Sequence, residues 1–214
     1  MGYEYKTNKK TNKGAIMGFD ITGLNPKNLH LKEPKEPDNL WELSKEKQDE
    51  YFDLRDKYTS QSGTYFRNNV WWWRPLAHYV LEETKVIPED RKESWGYNDC
   101  SEVSQKEAEM IAKQLRYLIK TGHTKRYSAQ WEARRKTLEV HNEKVEKELS
   151  EFSESVKKKM KDDNLAPKDF PETDKKIWDK IYDKRNSDAS YPFSVKNVEE
   201  FAEFCENCGG FTIG

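Results

Sequence analysis

The stretch that decides the fold reads Tyr65-Phe66-Arg67-Asn68-Asn69-Val70-Trp71-Trp72-Trp73-Arg74-Pro75-Leu76 and continues through Ala77-His78-Tyr79-Val80-Leu81. It contains three of the seven tryptophans of the chain in a row. From Trp73 onward the apolar residues recur at 73, 76, 77, 80 and 81, which is the spacing of an amphipathic helix. We therefore expect this helix to form the centre of the hydrophobic core.

The start and the interior of this helix each pose a question. Asn68 or Asn69 can cap its first turn, because a short side-chain oxygen accepts hydrogen bonds from the first free backbone amides. Pro75 has no amide hydrogen, so a helix that begins at Asn69 leaves the Trp71 carbonyl without its backbone partner. We expect either a kink or two helical segments that meet near Arg74.

A second face of the helix carries polar residues. Trp71, Arg74 and His78 are spaced i, i+3 and i+7, which places them on one face beside the core-facing residues, and Arg67 extends that face. In a structural interpretation, the arginines bond loop carbonyls and the tryptophans fill the core. In a functional interpretation, an aromatic ring and guanidinium groups bind an anionic or planar small molecule.

The polar loop Gly96-Tyr97-Asn98-Asp99 supplies further candidates, because binding residues are often carried by loops. Alternatively, Asp99 only shapes the loop as an Asx turn. If the loop folds over the polar face, we predict a partly open pocket that is electropositive at Arg74 and floored by Trp71. The predicted ligand-binding residues are Arg67, Asn68, Asn69, Trp71, Arg74, His78, Tyr97, Asn98 and Asp99.

The remaining patterns predict a mainly α fold of the α+β class. Ser104 and Glu107 form a capping box, and the helical core is expected around residues 68–84, 104–121 and 195–208. Asp38 is predicted to cap a further helix at about 39–58. Strands at Ile16–Leu24 and 211–213 are expected to pair as a small two-stranded sheet that joins the termini.

A long segment at about 125–162 contains neither glycine nor proline. Its apolar residues Trp131, Leu138, Val145 and Phe152 recur every seven positions among many charges, which predicts a long projecting charged helix that needs a partner, either 39–58 or 172–185. We divide the chain into a disordered arm at 1–14, a core domain at 15–123 plus 190–214, and a helical hairpin or appendage at 124–189.

Composition restricts the partners and the compartment. The net charge is −1, so no nucleic acid is expected as a partner, and the sequence contains no apolar run of membrane-spanning length and no signal-peptide core. Three cysteines favour a reducing cytoplasm. Cys205 and Cys208 have zinc-ligand spacing, but Cys205 lies on the apolar side of its helix, so we predict no metal and no cofactor.

The tryptophan stretch 65–76 resembles the signature of a group of uncharacterised proteins from tailed phages and viral metagenomes. Met17-Gly18-Phe19-Asp20, Gly96-Tyr97-Asn98-Asp99 and the segment from Asn197 to Phe211 resemble the same group. Residues 27–61 look like an insertion, and Cys100 stands where that group has a glycine. The resemblance implies a phage-encoded protein in an infected bacterial host and offers Met17 as an alternative native start to Met1. It implies no activity.

Three functions follow from these observations. The first is a non-enzymatic accessory protein that binds a small anionic or aromatic molecule on its Trp/Arg/Asn-lined surface. The second is a protein–protein effector that binds a host or phage protein through residues 131–156 of the long helix. The third is a hydrolytic enzyme that uses Asp20, Asp99 or His78.

Overall fold

The computed structural model describes residues 18–214, so the predictions for residues 1–14 and for Met17 lie outside the described residues. The described part is mainly α-helical with one small sheet, as the sequence predicts. Its helices are α1 (Lys45–Thr59), α2 (Val70–Thr84), α3 (Glu89–Lys92), α4 (Gln105–Lys120), α5 (His123–Met160), α6 (Glu172–Tyr182) and α7 (Val195–Asn207). Its strands are β1 (Gly18–Gly23), β2 (Tyr65–Asn69), β3 (Ser101–Val103) and β4 (Phe211–Ile213).

The sheet contains four antiparallel strands in the order β2-β1-β4-β3, so the two-stranded prediction is wrong. The predicted pairing of the first strand with the C-terminal strand is correct, because Ile21 faces Ile213. β2 was missed because it lies in the stretch read as the approach to a helix, and asparagine is a poor strand former. β3 has three residues, which is too short for an alternating pattern to show.

The tryptophan stretch changes from strand to helix at Asn69. The Asn69 side chain accepts hydrogen bonds from the amides of Trp71 and Trp72, both at 3.1 Å, so the predicted cap is confirmed. α2 then runs as one helix through Pro75 rather than as two segments. The missing proline amide affects a single carbonyl, that of Trp71 in the first turn, and Pro75 itself is buried.

The hydrophobic core lies between one face of the sheet and helices α2, α4 and α7. Phe19 and Ile21 on β1 point into it, and so do Phe211 and Ile213 on β4. Trp73 is fully buried at its centre. Its ring stacks on Phe19 at 5.5 Å and on Trp95 at 5.9 Å between centroids.

The capping box predicted for α4 is present in the structure, whereas the cap predicted at Asp38 is not. The Ser104–Glu107 capping box opens α4, and Ser194 caps α7. Asp38 caps no helix, because the predicted helix at 39–58 is divided into a 3-10 turn at Leu40–Glu42 and α1. Leu40 and Tyr51 are the buried residues of these two elements, so little apolar surface holds them in one continuous helix.

The long helix is α5, with 38 residues, and its partner is α6 rather than α1. Val145 and Leu149 of α5 form a small separate hydrophobic cluster with Ile181 of α6. Nearer the core, the Asn142 amide group donates to the Asn186 carbonyl, and the Asn142 oxygen accepts from the Asn186 amide, both at 2.9 Å. None of the described helices has the length and apolarity needed to cross a bilayer.

Trp73→Ala should lower the free energy of unfolding by ~3–5 kcal/mol, because it removes a buried indole whose surroundings cannot fully collapse. Chemical denaturation measures the loss. Trp41→Ala is the matched control, since Trp41 is 78% exposed and its replacement should cost less than about 1 kcal/mol. Equal losses for the two variants would contradict the central position of Trp73.

A chain in which residues 143–185 are replaced by a short Gly-Ser turn should keep a cooperative thermal transition. The Asn142–Asn186 hydrogen bonds bring the two cut ends together, and the cluster removed with the deletion is separate from the main core. Circular dichroism on heating measures the transition. A broad, non-cooperative melt would show that the main core depends on the outer parts of α5 and α6.

Candidate functional site

Tyr191 covers the face of α2 that the sequence nominates for ligand binding. The Arg74 guanidinium donates to the Tyr191 hydroxyl, and its central carbon lies 5.6 Å from the centre of the Tyr191 ring. The Trp71 ring also packs against Tyr191, with 5.2 Å between the ring centroids. Tyr191 is buried in this contact, whereas Trp71 remains 45% exposed.

The long helix completes this arrangement. The Trp131 indole N–H donates to the Tyr191 carbonyl at 2.8 Å, and the His78 ring lies 6.2 Å from the Trp131 ring. Arg74 therefore links α2 to the segment that returns from α6, through the Tyr191 hydroxyl. This contact agrees with the structural interpretation of Arg74, whereas the ligand pocket predicted at Arg74 and Trp71 stays a prediction.

An open depression lies on the neighbouring side of α2, where α2 and α7 both begin. It has a free volume of about 220 Å³ and is lined by Asn68, Trp72, Ser194, Lys196, Asn197 and Glu200. The Asn68 amide group donates to the Asn197 side-chain oxygen at 3.0 Å, and the Asn197 amide group donates to the Trp72 carbonyl at 3.4 Å. These hydrogen bonds hold the side-chain amides of Asn68 and Asn197 in place beside the Trp72 ring.

The charged groups of the depression lie on its α7 side, where Lys196 and the carboxylate of Glu200 both line it. Lys196 forms an i, i+4 ion pair with Glu200 at 3.5 Å, with most of the Lys196 side chain exposed. The Ser194 hydroxyl accepts a hydrogen bond from the backbone amide of Asn197 and so caps α7. The Asn69 side chain caps α2. Two helix N-termini therefore add partial positive charge near the lysine.

Arg67 lies on the outer face of the sheet, away from the helical core. Its guanidinium is 3.4 Å from the Asp20 carboxylate on the adjacent strand. The Tyr65 hydroxyl donates to the same carboxylate. Burial first and this hydrogen bond second raise the pKa of Tyr65 to about 12, so its hydroxyl stays protonated at neutral pH.

The polar loop lies at the end of the sheet where β1 begins. The Asn98 amide group donates to the Gly18 carbonyl at 2.9 Å, and Gly18 pairs with Asn69 across the strands. The Asp99 carboxylate accepts from the Ser101 amide at 3.2 Å, which is the Asx turn considered as the structural alternative. Tyr97 is exposed in the same loop.

The cysteine pair belongs to the core. Cys205 and Cys208 are both buried, and the Cys208 thiol donates weakly to the Cys205 carbonyl at 3.6 Å. Burial raises the pKa of Cys205 well above its ordinary value and that of Cys208 to about 11. Among residues 18–214, no three histidine, cysteine, aspartate or glutamate side chains are grouped in a way that could hold a metal ion.

The nine predicted residues are thus divided among several places. Trp71, Arg74 and His78 meet Tyr191 and Trp131, whereas Asn68 lies in the depression and Asn69 caps α2. Trp72, Lys196 and Asn197 are lining residues that the sequence reasoning missed. The sequence signal that could have found Lys196 and Asn197 is Ser194, because a capping serine at that position places both residues in the first turn of α7.

Arg74→Ala should lower the free energy of unfolding by ~1–3 kcal/mol, because it leaves the buried Tyr191 hydroxyl without this partner. Arg67→Ala is the matched control. Arg67 is largely exposed and paired across the outer face of the sheet, so its loss should change stability by less than ~0.5 kcal/mol. Urea denaturation compares the two, and an unchanged stability for Arg74→Ala would contradict the structural role.

Comparison of the chain with models of known families, with curated proteins and with solved structures gave no match in any of the three. The geometry of the described residues is therefore the basis for a functional proposal.

Proposed function

We propose that this chain is a non-enzymatic binding protein that holds a small aromatic anion in the depression between the first turns of α2 and α7. The observation that carries the proposal is the grouping of one indole, two side-chain amides, one serine hydroxyl and a lysine–glutamate pair around a single concavity. On the basis of the resemblance described above, the proposal includes that it is a phage accessory protein acting in the cytoplasm of an infected bacterium.

The lining residues supply complementary interactions. The Trp72 ring offers an apolar surface for a planar group, since aromatic rings favour offset stacking. Lys196 and the two helix N-termini attract a carboxylate or phosphate. The amides of Asn68 and Asn197 are already hydrogen-bonded to each other, so little conformational entropy is lost when they bond a ligand.

The size of the depression limits the ligand. Its free volume of about 220 Å³ is below the ~300–1,000 Å³ of typical drug-sized sites. A ligand of one or two rings fits this space, and a larger molecule would leave most of its surface in water. We therefore expect modest affinity and a preference for compact ligands.

The groups nominated for hydrolysis have separate partners. Asp20 contacts Tyr65 and Arg67, Asp99 accepts from the Ser101 amide, and His78 faces Trp131. This separation favours binding over catalysis.

The effector alternative has less support than binding, because the apolar stripe of α5 is used within the chain. Val145, Leu149 and Val156 are buried, and Val140 is the large apolar residue of 131–156 that remains exposed, at 51%. A partner protein would find little free apolar surface on this helix.

Titration with indole-3-acetate should move the Trp72 indole N–H signal in a nitrogen–proton correlation spectrum, with assignment by Trp72→Phe. Lys196→Ala should weaken this binding at least threefold, and added salt should weaken it further, because part of the attraction is charge. The neutral indole-3-acetamide should bind more weakly than the anion.

Lys176→Ala is the control, because Lys176 forms the same kind of exposed i, i+4 pair, with Glu172 at 3.5 Å on α6. It should leave the titration unchanged. The proposal is wrong if the Trp72 signal does not move, or if Lys176→Ala and Lys196→Ala have equal effects.

A further inference from the structure

The outer face of α4 carries a regular stripe of lysines and apolar side chains. Lys106, Lys113 and Lys120 recur every seven residues, and Met110 and Tyr117 lie between them with the same spacing. With 3.6 residues per turn, all five side chains project within one narrow arc. That arc is opposite the buried residues of the helix, which are Ala108, Ile111, Ala112 and Leu115.

This stripe is free of intramolecular partners in the described part of the chain. Met110 is 46% exposed and Tyr117 is 63% exposed. Each of the three lysines is exposed, and none forms an ion pair with another residue of 18–214. The surface therefore combines exposed apolar area with three uncompensated positive charges.

A stripe of opposite charge lies on the neighbouring helix α7. Glu199, Glu203 and Glu206 are spaced i, i+4 and i+7, so they share one side of that helix. Arg116 of α4 forms a two-pronged hydrogen-bonded pair with Glu206 at 2.7 and 2.8 Å, which places this side next to α4. Beyond that hydrogen bond, the charges of Glu203 and Glu199 also raise the pKa of Arg116.

Glu199 and Glu203 form no ion pair within the described residues. Basic and acidic stripes thus lie side by side on two helices that pack tightly together. A polyanion such as nucleic acid or an anionic membrane would be attracted by α4 and repelled by α7. A partner with a positively charged stripe beside a negatively charged stripe complements this surface better. A second copy of this chain is such a partner, because it carries the same two stripes.

We propose that the outer faces of α4 and α7 bind a second copy of this chain, with the lysine stripe of each copy against the glutamate stripe of the other. In a twofold-symmetric dimer the same surface is used by both copies, so each lysine–glutamate contact forms twice. The exposed side chains of Met110 and Tyr117 are then covered at the interface. Charge complementarity of this kind sets the register of the contact and speeds association.

The dimensions predict a reversible dimer. α4 has 16 residues and is therefore about 24 Å long, and two helices packed ~10 Å apart give a face of roughly 500 Å² per chain. Standard interfaces bury about 800 Å² per partner. We therefore expect a dimer that forms with rising protein concentration and weakens with added salt, rather than a permanent one.

The test is a charge exchange measured by sedimentation equilibrium of the full chain. Lys113→Glu/Lys120→Glu and Glu199→Lys/Glu203→Lys should each weaken self-association at least tenfold, because each places like charges across the interface twice. An equimolar mixture of the two variants should associate as a heterodimer, since opposite charges again face each other. Lys136→Glu/Lys144→Glu, on exposed positions of α5, is the matched control and should associate like the unmodified chain.

Circular dichroism is the check that the variants are folded. The residues whose charge is reversed are all exposed, so we expect each variant to fold and any change in association to come from the interface. Any of three results would overturn the proposal. The first is an unmodified chain that is monomeric up to millimolar concentration. The second is an α5 control that loses association as the stripe variants do, and the third is a failure of the mixed variants to associate. An unmodified monomer that binds a DNA oligonucleotide or phosphatidylserine vesicles through these lysines would identify a polyanion surface instead.

Discussion

The structure depends on the burial of one indole ring, that of Trp73. Its ring stacks between Phe19 of the sheet and Trp95, and its N–H donates to the Trp95 carbonyl at 2.8 Å. A buried indole needs such a partner, because an unsatisfied donor in the core is costly. The ring and its hydrogen bond together fix α2 in both position and rotation over the sheet.

The rotation of α2 decides what its other faces do. With Trp73 turned inward, Trp71 and Arg74 face Tyr191 and hold the segment that returns from α6, while Trp72 borders the depression beside α7. Three consecutive tryptophans therefore serve the core, a tertiary contact and a candidate binding surface. A helix rotation of 100° per residue separates these roles.

Much of the fold was predictable because local signals agreed with the tertiary structure. The Ser104 capping box, the Asn69 cap and the seven-residue pattern of α5 each gave a helix that the structure contains. β2 was not predictable in this way, since its two asparagines disfavour a strand and its pairing with β1 comes from tertiary contacts.

The candidate site was predictable only in part. Spacing correctly placed Trp71, Arg74 and His78 on one helix face, but the sequence could not show that Tyr191, far along the chain, would cover it. The depression likewise depends on Asn68 meeting Asn197, a pairing of residues distant in sequence. Such contacts follow from the path of the whole chain rather than from any local pattern.

The central claim is that α2, α4 and α7 form one core around Trp73, whereas the outer parts of α5 and α6 are stabilised separately by a smaller cluster. Native-state hydrogen exchange of backbone amides tests it most directly, because it reports the free energy of opening for each element. The account predicts that core amides of α2, α4 and α7 exchange slowest and share one opening free energy, with faster exchange around Val145 and Ile181. Protection around Val145 and Ile181 that equals or exceeds that of α2 would contradict it.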